Sequence, residues 1–201
     1  MKLFSRLLSI FFHPLLMPTI GLFLIFSIGS HITYIPIQVK RIVYVTVFVS
    51  SCLLPMSLVP MLMALKQIET IYMKTKRERV WPMFISGLIF FAGYYFLSLI
   101  HSVPTFVLKY ISATIITIYA SLIITFYWKI SIHMVGIGGL AGGLLAFAFM
   151  LGLDIHLLMS LIFAVAGLIG VARLYLKAHN PAQVYAGFML GFVMVFTVVT
   201  I

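Results

Sequence analysis

Three short segments of this chain carry side chains suited to holding an anion and moving a proton. The stretch "VARLYLKAHNPAQVYAG" (171–187) sets Arg173, Lys177 and His179 between two apolar runs. "ISIH" puts Ser131 two residues before His133, and "KQIETIYMKTKRERVW" (66–81) gathers Lys66, Lys74, Lys76, Arg77 and Arg79. A guanidinium offers paired donors to two oxygens of a phosphate at once. An imidazole, with an ordinary pKa near ~6.5, can take or give a proton at neutral pH. Charges beside such apolar runs need a partner or a purpose.

The elements that must position these groups follow from composition. The chain has 201 residues, is 64 % hydrophobic and only 8 % charged, and has a mean hydropathy of +1.23. That excludes an ordinary soluble domain and points to an all-α, polytopic transmembrane helix bundle. At about 20 apolar residues per crossing, about six to seven spans are expected, the seven candidates running roughly 7–28, 42–65, 81–100, 105–127, 131–152, 155–173 and 182–201. Pro14, Pro18, Pro55 and Pro60 should kink the first two, which membrane helices tolerate where neighbours satisfy the freed carbonyls. Connections are short, so residues 1–201 form one domain. The opening "MKLFSRLLSIFF" has the basic and apolar regions of a signal peptide without a small-residue cleavage pattern, and is read as a retained first span. Gly138 with Gly142, Gly139 with Gly143 and Gly187 with Gly191 are small-xxx-small pairs that let helix backbones approach. "GIGGLAGG" lacks the ending and the preceding strand of a phosphate loop.

Span parity brings the polar segments together. If the chain starts on side A, then Lys2, Arg6, Lys66, Lys74, Lys76, Arg77, Arg79, Lys129, Arg173 and Lys177 lie there, against Lys40, Arg41 and Lys109 on side B. The bias places side A in the cytoplasm by the positive-inside tendency. A formal charge of +10 with only Glu69, Glu78 and Asp154 as acids points to anionic membrane lipids as partners, not to nucleic acid. The basic loop, Ser131 with His133, and Arg173 with His179 should meet at the mouth of the bundle as an anion site holding two histidines. Lys76, Arg77 and Glu78 read as a solvated stretch facing headgroups. Cys52 is alone in an apolar run and can form no internal disulfide. His13, His31, His101 and His156 fall within or at the ends of spans, where an amphipathic ring suits the interface. Asp154 and His156 lack the further ligands of a metal site.

The three segments together resemble the type 2 phosphatidic acid phosphatase superfamily, whose motifs read K-x6-R-P, P-S-G-H and S-R-x5-H-x3-D. The third motif runs here through Ala172, Arg173, His179 and Gln183, continuing to Val184 and Gly187; the second keeps Ser131 and His133. In the first, Lys74 stands before Trp81 and Pro82, with Trp in the family's Arg position and Arg79 or Arg77 near enough to reach back. The resemblance covers about 74–191, and only the third motif is specific alone.

It implies an integral-membrane lipid-phosphate phosphatase, an enzyme of the bacterial-type inner (cytoplasmic) membrane, acting on a phosphate monoester or pyrophosphate without metal or cofactor. Arg173, Lys74 and Arg79, with the Ser131 hydroxyl, would cradle the phosphate. His179 would be the nucleophile that forms a phosphohistidine, and His133 would protonate the leaving alkoxide and then activate water. Gln183 stands where the family has the Asp that orients the nucleophile, and it also reads, with Asn180 and Pro181, as the capping box of the last span. A phosphotransferase using the same histidine and an inactive relative that binds anionic lipid are the alternatives.

Overall fold

The protein is described here by a computed structural model covering residues 2–28, 34–70, 73 and 75–201. Two residues singled out above, Lys74 and His31, lie outside the described residues. Nine α-helices occur among the described residues: α1 (Lys2–Phe11), α2 (Met17–Ser27), α3 (Ile37–Phe48), α4 (Leu54–Ala64), α5 (Arg77–Ser98), α6 (Thr105–Tyr127), α7 (Ile132–Leu151), α8 (His156–Tyr175) and α9 (Pro181–Thr200). They make seven stretches long and apolar enough to cross a membrane, with α1–α2 and α3–α4 each forming one crossing. The chain is thus a multi-pass helical membrane protein.

The two composite crossings are interrupted where proline requires it. The first breaks at a 3-10 turn, Pro14–Leu16, with the His13 ring accepting from Leu15 N–H. Pro14 has no N–H to give, so α1 cannot run on into α2 with an unbroken ladder. In the second, a π-helical turn, Val49–Leu53, precedes Pro55 and absorbs the hydrogen bond that proline cannot donate. Pro60 sits inside α4 without ending it.

Helix α7 is the hub. In its most apolar stretch 72 % of residues are buried, against at most 44 % in any other crossing, and α2, α6, α8 and α9 all pack on it. Its closest partner is α9. A Cβ at Gly138 or Gly142 would strike the backbone carbonyls of Phe188 or Phe192, and one at Gly191 would strike that of Val135. The small-residue pairs therefore serve close backbone approach, where lipid gives no hydrophobic drive to associate. The exterior carries Phe4, Ile10, Phe23, Phe91, Ile123, Phe149 and Leu157, all largely exposed, as befits side chains whose solvent is hydrocarbon.

This packing draws α5, α7 and α9 together by their N-termini. Ser131 N–H donates to Gln183 O (3.3 Å), tying the α6–α7 connection to the start of α9. Lys76 Nζ donates to Phe126 O and Tyr127 O (3.4 and 3.0 Å), so the basic loop caps the C-terminus of α6. The three polar segments consequently share one end of the bundle.

Candidate functional site

Arg79, on the first turn of α5, bridges two of these segments. Its Nε donates to Met73 O and its Nη1 to Ile130 O, both at 3.2 Å. It lies in electrostatic range of Arg173, Lys129 and His179, while Arg77 is exposed and Trp81, 49 % exposed, faces outward against Phe84. Of the two arginines near the Trp81 position, Arg79 is the one in the cluster. Glu78 departs from the expected solvated stretch. It is buried, and its carboxylate accepts from Thr75 N–H (3.2 Å) and Thr75 Oγ1 (2.6 Å), placing one negative charge beside Lys129 and Arg79.

Ser131 is the N-cap of α7, yet its hydroxyl makes no cap bond and is buried without a hydrogen-bond partner. A serine in that position ordinarily turns its oxygen to the helix N–H groups. Gly187 makes the approach of α9 possible, since a Cβ there would come 2.7 Å from Ser131 O. Arg173, in the last turn of α8, donates from Nη1 to Ser9 Oγ (3.3 Å), and its Nε is buried without a partner. Two donors suited to an anion are therefore unsatisfied at one end of the bundle, and such groups are costly to bury empty.

His179 and Gln183 fix each other's chemistry. The Gln183 side-chain oxygen accepts from Asn180 N–H at 3.3 Å, while Gln183 N–H donates to Asn180 Oδ1 at 2.9 Å. A backbone N–H can only donate, so the Gln183 atom facing it is the oxygen. That same oxygen stands 2.9 Å from His179 Nδ1, which must then carry the ring proton and leave Nε2 with its lone pair. Gln183 thus closes the capping box and sets the His179 tautomer simultaneously. His179 is 8 % exposed, and burial is the main reason its pKa falls to about 4, with Arg79, Arg173 and Lys129 adding to the depression against the Gln183 hydrogen bond. It is neutral at pH 7. Lys129, in the connection before α7, is also held below the ordinary lysine range, first by burial and then by Arg79 and Arg173, with Glu78 opposing.

His133 lies on the first turn of α7 and donates from Nε2 to Ser9 O at 3.1 Å. Its ring meets that of His13 edge to face at 5.6 Å, and Arg173 and His179 are in electrostatic range. Ser9 and His13 belong to no motif segment, yet both meet His133, His13 from within the first crossing. The signal lay in the spacing, because Ser5, Ser9 and His13 recur every four residues, a polar series that runs through α1 to its break. His101 and His156 are exposed and apart from the cluster. The assembled site holds three imidazoles, those of His13, His133 and His179, with Arg79, Lys129, Arg173, a bare hydroxyl and the nearby N-termini of α7 and α9, which favour an anion. Among the described residues no three His, Cys, Asp or Glu side chains gather as metal ligands do. No family model, curated protein or solved structure matches the chain.

Proposed function

We propose that the protein is a lipid-phosphate phosphatase of the type 2 phosphatidic acid phosphatase kind, acting through a phosphohistidine. The observation that carries the reading is His179, neutral and held as the Nδ1–H tautomer by Gln183, beside Arg79, Arg173 and the unpartnered Ser131 hydroxyl. A nucleophilic imidazole needs its attacking nitrogen bare and its far nitrogen protonated. Arg173 and Arg79, with Ser131 and Lys74, bind the equatorial phosphate oxygens; charge spread over those oxygens is what such cations stabilise.

In the first step His179 Nε2 bonds to phosphorus as the ester P–O bond breaks, and the proton carried by the monoanionic phosphate passes through His133 Nδ1 to the departing alkoxide. In the second, water bonds to phosphorus, the P–N bond breaks, and His133 Nδ1 takes the proton from water. No metal or cofactor enters these steps. The lipid is a phosphate monoester or pyrophosphate whose head lies at the bilayer surface. The membrane is a bacterial-type inner membrane, with the cation-rich end at the cytoplasmic face by the charge bias.

The test is release of inorganic phosphate by purified protein in detergent from a panel of phosphorylated lipids, in excess chelator, with vanadate or tungstate as inhibitors. Turnover with a phosphoenzyme stable in alkali and labile in acid is the expected result. Loss of turnover on chelation, restored by one divalent ion, would mean a different mechanism. Transfer of the group to a lipid or sugar alcohol in preference to water would make the protein a phosphotransferase. The neutral Gln183 and the wholly buried Ser131 favour a further reading, an anionic-lipid-binding protein without turnover, which tight binding with no phosphate release would establish.

A further inference from the structure

The break between α1 and α2 passes over one carbonyl. Phe12 N–H donates to Leu8 O (3.0 Å), but His13 N–H drops back to Ile10 O (3.2 Å), and Pro14 has no N–H. The ladder thus skips Ser9 O, one of the orphan carbonyls every helix end must place. His133 Nε2 takes it from α7, at 3.1 Å and 124 residues away in sequence. The Ser9 hydroxyl is equally committed: its proton goes to Ser5 O at 2.9 Å, so a lone pair is what meets Arg173 Nη1 at 3.3 Å.

We propose that Ser9 is a positioning residue of the site, its carbonyl holding His133 in one orientation with Nδ1 as the proton-exchanging nitrogen, and its hydroxyl holding Arg173. This rests on the phosphatase reading above. A carbonyl can only accept, so the His133 nitrogen facing it carries a proton in both charge states of the ring. All proton traffic therefore runs through Nδ1, and Nε2–H stays on Ser9 throughout the cycle. His13, edge-on to the ring at 5.6 Å, limits its rotation. The N-terminal helix then forms a wall of the site that no phosphatase motif names. The His13-Pro14 pair is the reason it can, because it stops α1 where Ser9 has an acceptor to spare.

Two variants separate the contacts. Pro14→Ala restores an N–H at residue 14 and lets α1 continue, so His13 N–H can return to Ser9 O. Ser9→Ala removes only the hydroxyl and leaves the carbonyl. The protein is labelled with 15N-histidine in detergent, and the ring nitrogens of His133, assigned with His133→Gln, are read alongside kcat and KM on one lipid phosphate. In wild type His133 should appear protonated at Nε2 alone at neutral pH. Pro14→Ala should mix its tautomers and lower kcat about tenfold with KM little changed, a part of the ~10²–10⁴ that a placed acid or base supplies. Ser9→Ala should raise KM about fivefold with kcat within about twofold, and Ser9→Thr should restore it, since a hydroxyl on the guanidinium acts mainly in binding. A wild-type His133 protonated at Nδ1, or a Pro14→Ala protein with mixed tautomers and unchanged kcat, would remove the role of Ser9 while leaving an active phosphatase. Wild-type protein that forms no phosphoenzyme and releases no phosphate removes the phosphatase reading, and this role with it.

Discussion

His156 and His179 each stand at the start of a helix with a side-chain oxygen on Nδ1. His156 opens α8 and faces the Asp154 carboxylate; His179 precedes α9 and faces the Gln183 amide. Judged as isolated pairs, the histidine with the carboxylate is the better catalytic dyad. Its side chains are 93 % and 81 % exposed, however, and water solvates whatever charge they develop. The backbone N–H and then the ring of His156 hold the Asp154 carboxyl below the usual range, and the nearby Ser160 hydroxyl donates to the His156 carbonyl and not to the pair. His179 has the weaker acceptor and is buried among Arg79, Arg173, Lys129 and His133. A site is made by convergence in a place poor in water, where fixed charges act strongly, and the quality of a single pair does not substitute for it.

The comparison breaks most visibly at the histidines themselves. His179→Ala should abolish phosphoenzyme formation, whereas His156→Ala should leave turnover within about twofold, since surface changes away from a site are usually close to neutral. Equal losses in the two variants, measured as single-turnover phosphate release, would make the convergence irrelevant.

Next in size is Arg173→Lys. It keeps the charge and loses the paired donors, so kcat/KM should fall about 100-fold, the scale of removing one preorganised donor to transition-state charge. An unaffected rate would reduce Arg173 to an interfacial anchor.

Acid sharpens the contrast further. His179 is neutral down to about pH 4, so the nucleophile remains available at pH 5, where an ordinary imidazole is almost wholly protonated. The rate of phosphoenzyme formation should lose half its value near pH 4; a half-point near ~6.5 would mean that His179 is solvated. The same depression has a stability consequence. The unfolded ring takes up a proton near 6.5 and the folded ring near about 4, so the stability due to neutral His179 is present above 6.5 and is lost as pH falls through that window.

The smallest functional change tests the acceptor. Gln183→Glu keeps the reach to both His179 and Asn180 and adds the charge that offsets a developing imidazolium. It should raise phosphoenzyme formation about tenfold, equivalent to ~1.4 kcal/mol of transition-state stabilisation, and move the acid limb upward. Gln183→Leu should lower the rate by a similar factor. At Asp154, by contrast, Asn should change nothing measurable. If Glu at 183 is neutral and Leu is tolerated, the residue is a helix cap alone.

Much of this architecture was legible in the chain. Apolar length alone gives seven crossings, because a bilayer sets the length a helix must have. Prolines marked both interrupted crossings, and glycine spacing marked the α7–α9 contact, since each acts through its own backbone chemistry. Asn180, Pro181 and Gln183 announced the start of α9 for the same local reason. Span parity was enough to gather Arg79, Ser131, His133, Arg173 and His179 at one end. What depended on the packing of distant helices was different in kind. The burial of Glu78, the choice of Arg79 over Arg77 and the outward face of Trp81 follow from how α5 is rotated about its axis, which a nearly uniform apolar sequence does not specify. That His133 from α7 finds the spare carbonyl of Ser9 on α1 is a contact between residues 124 apart. Local patterns decide where helices begin and end because their hydrogen bonds close within a few residues; the tautomers and charges of the site were decided only when separate helices brought their donors and acceptors together.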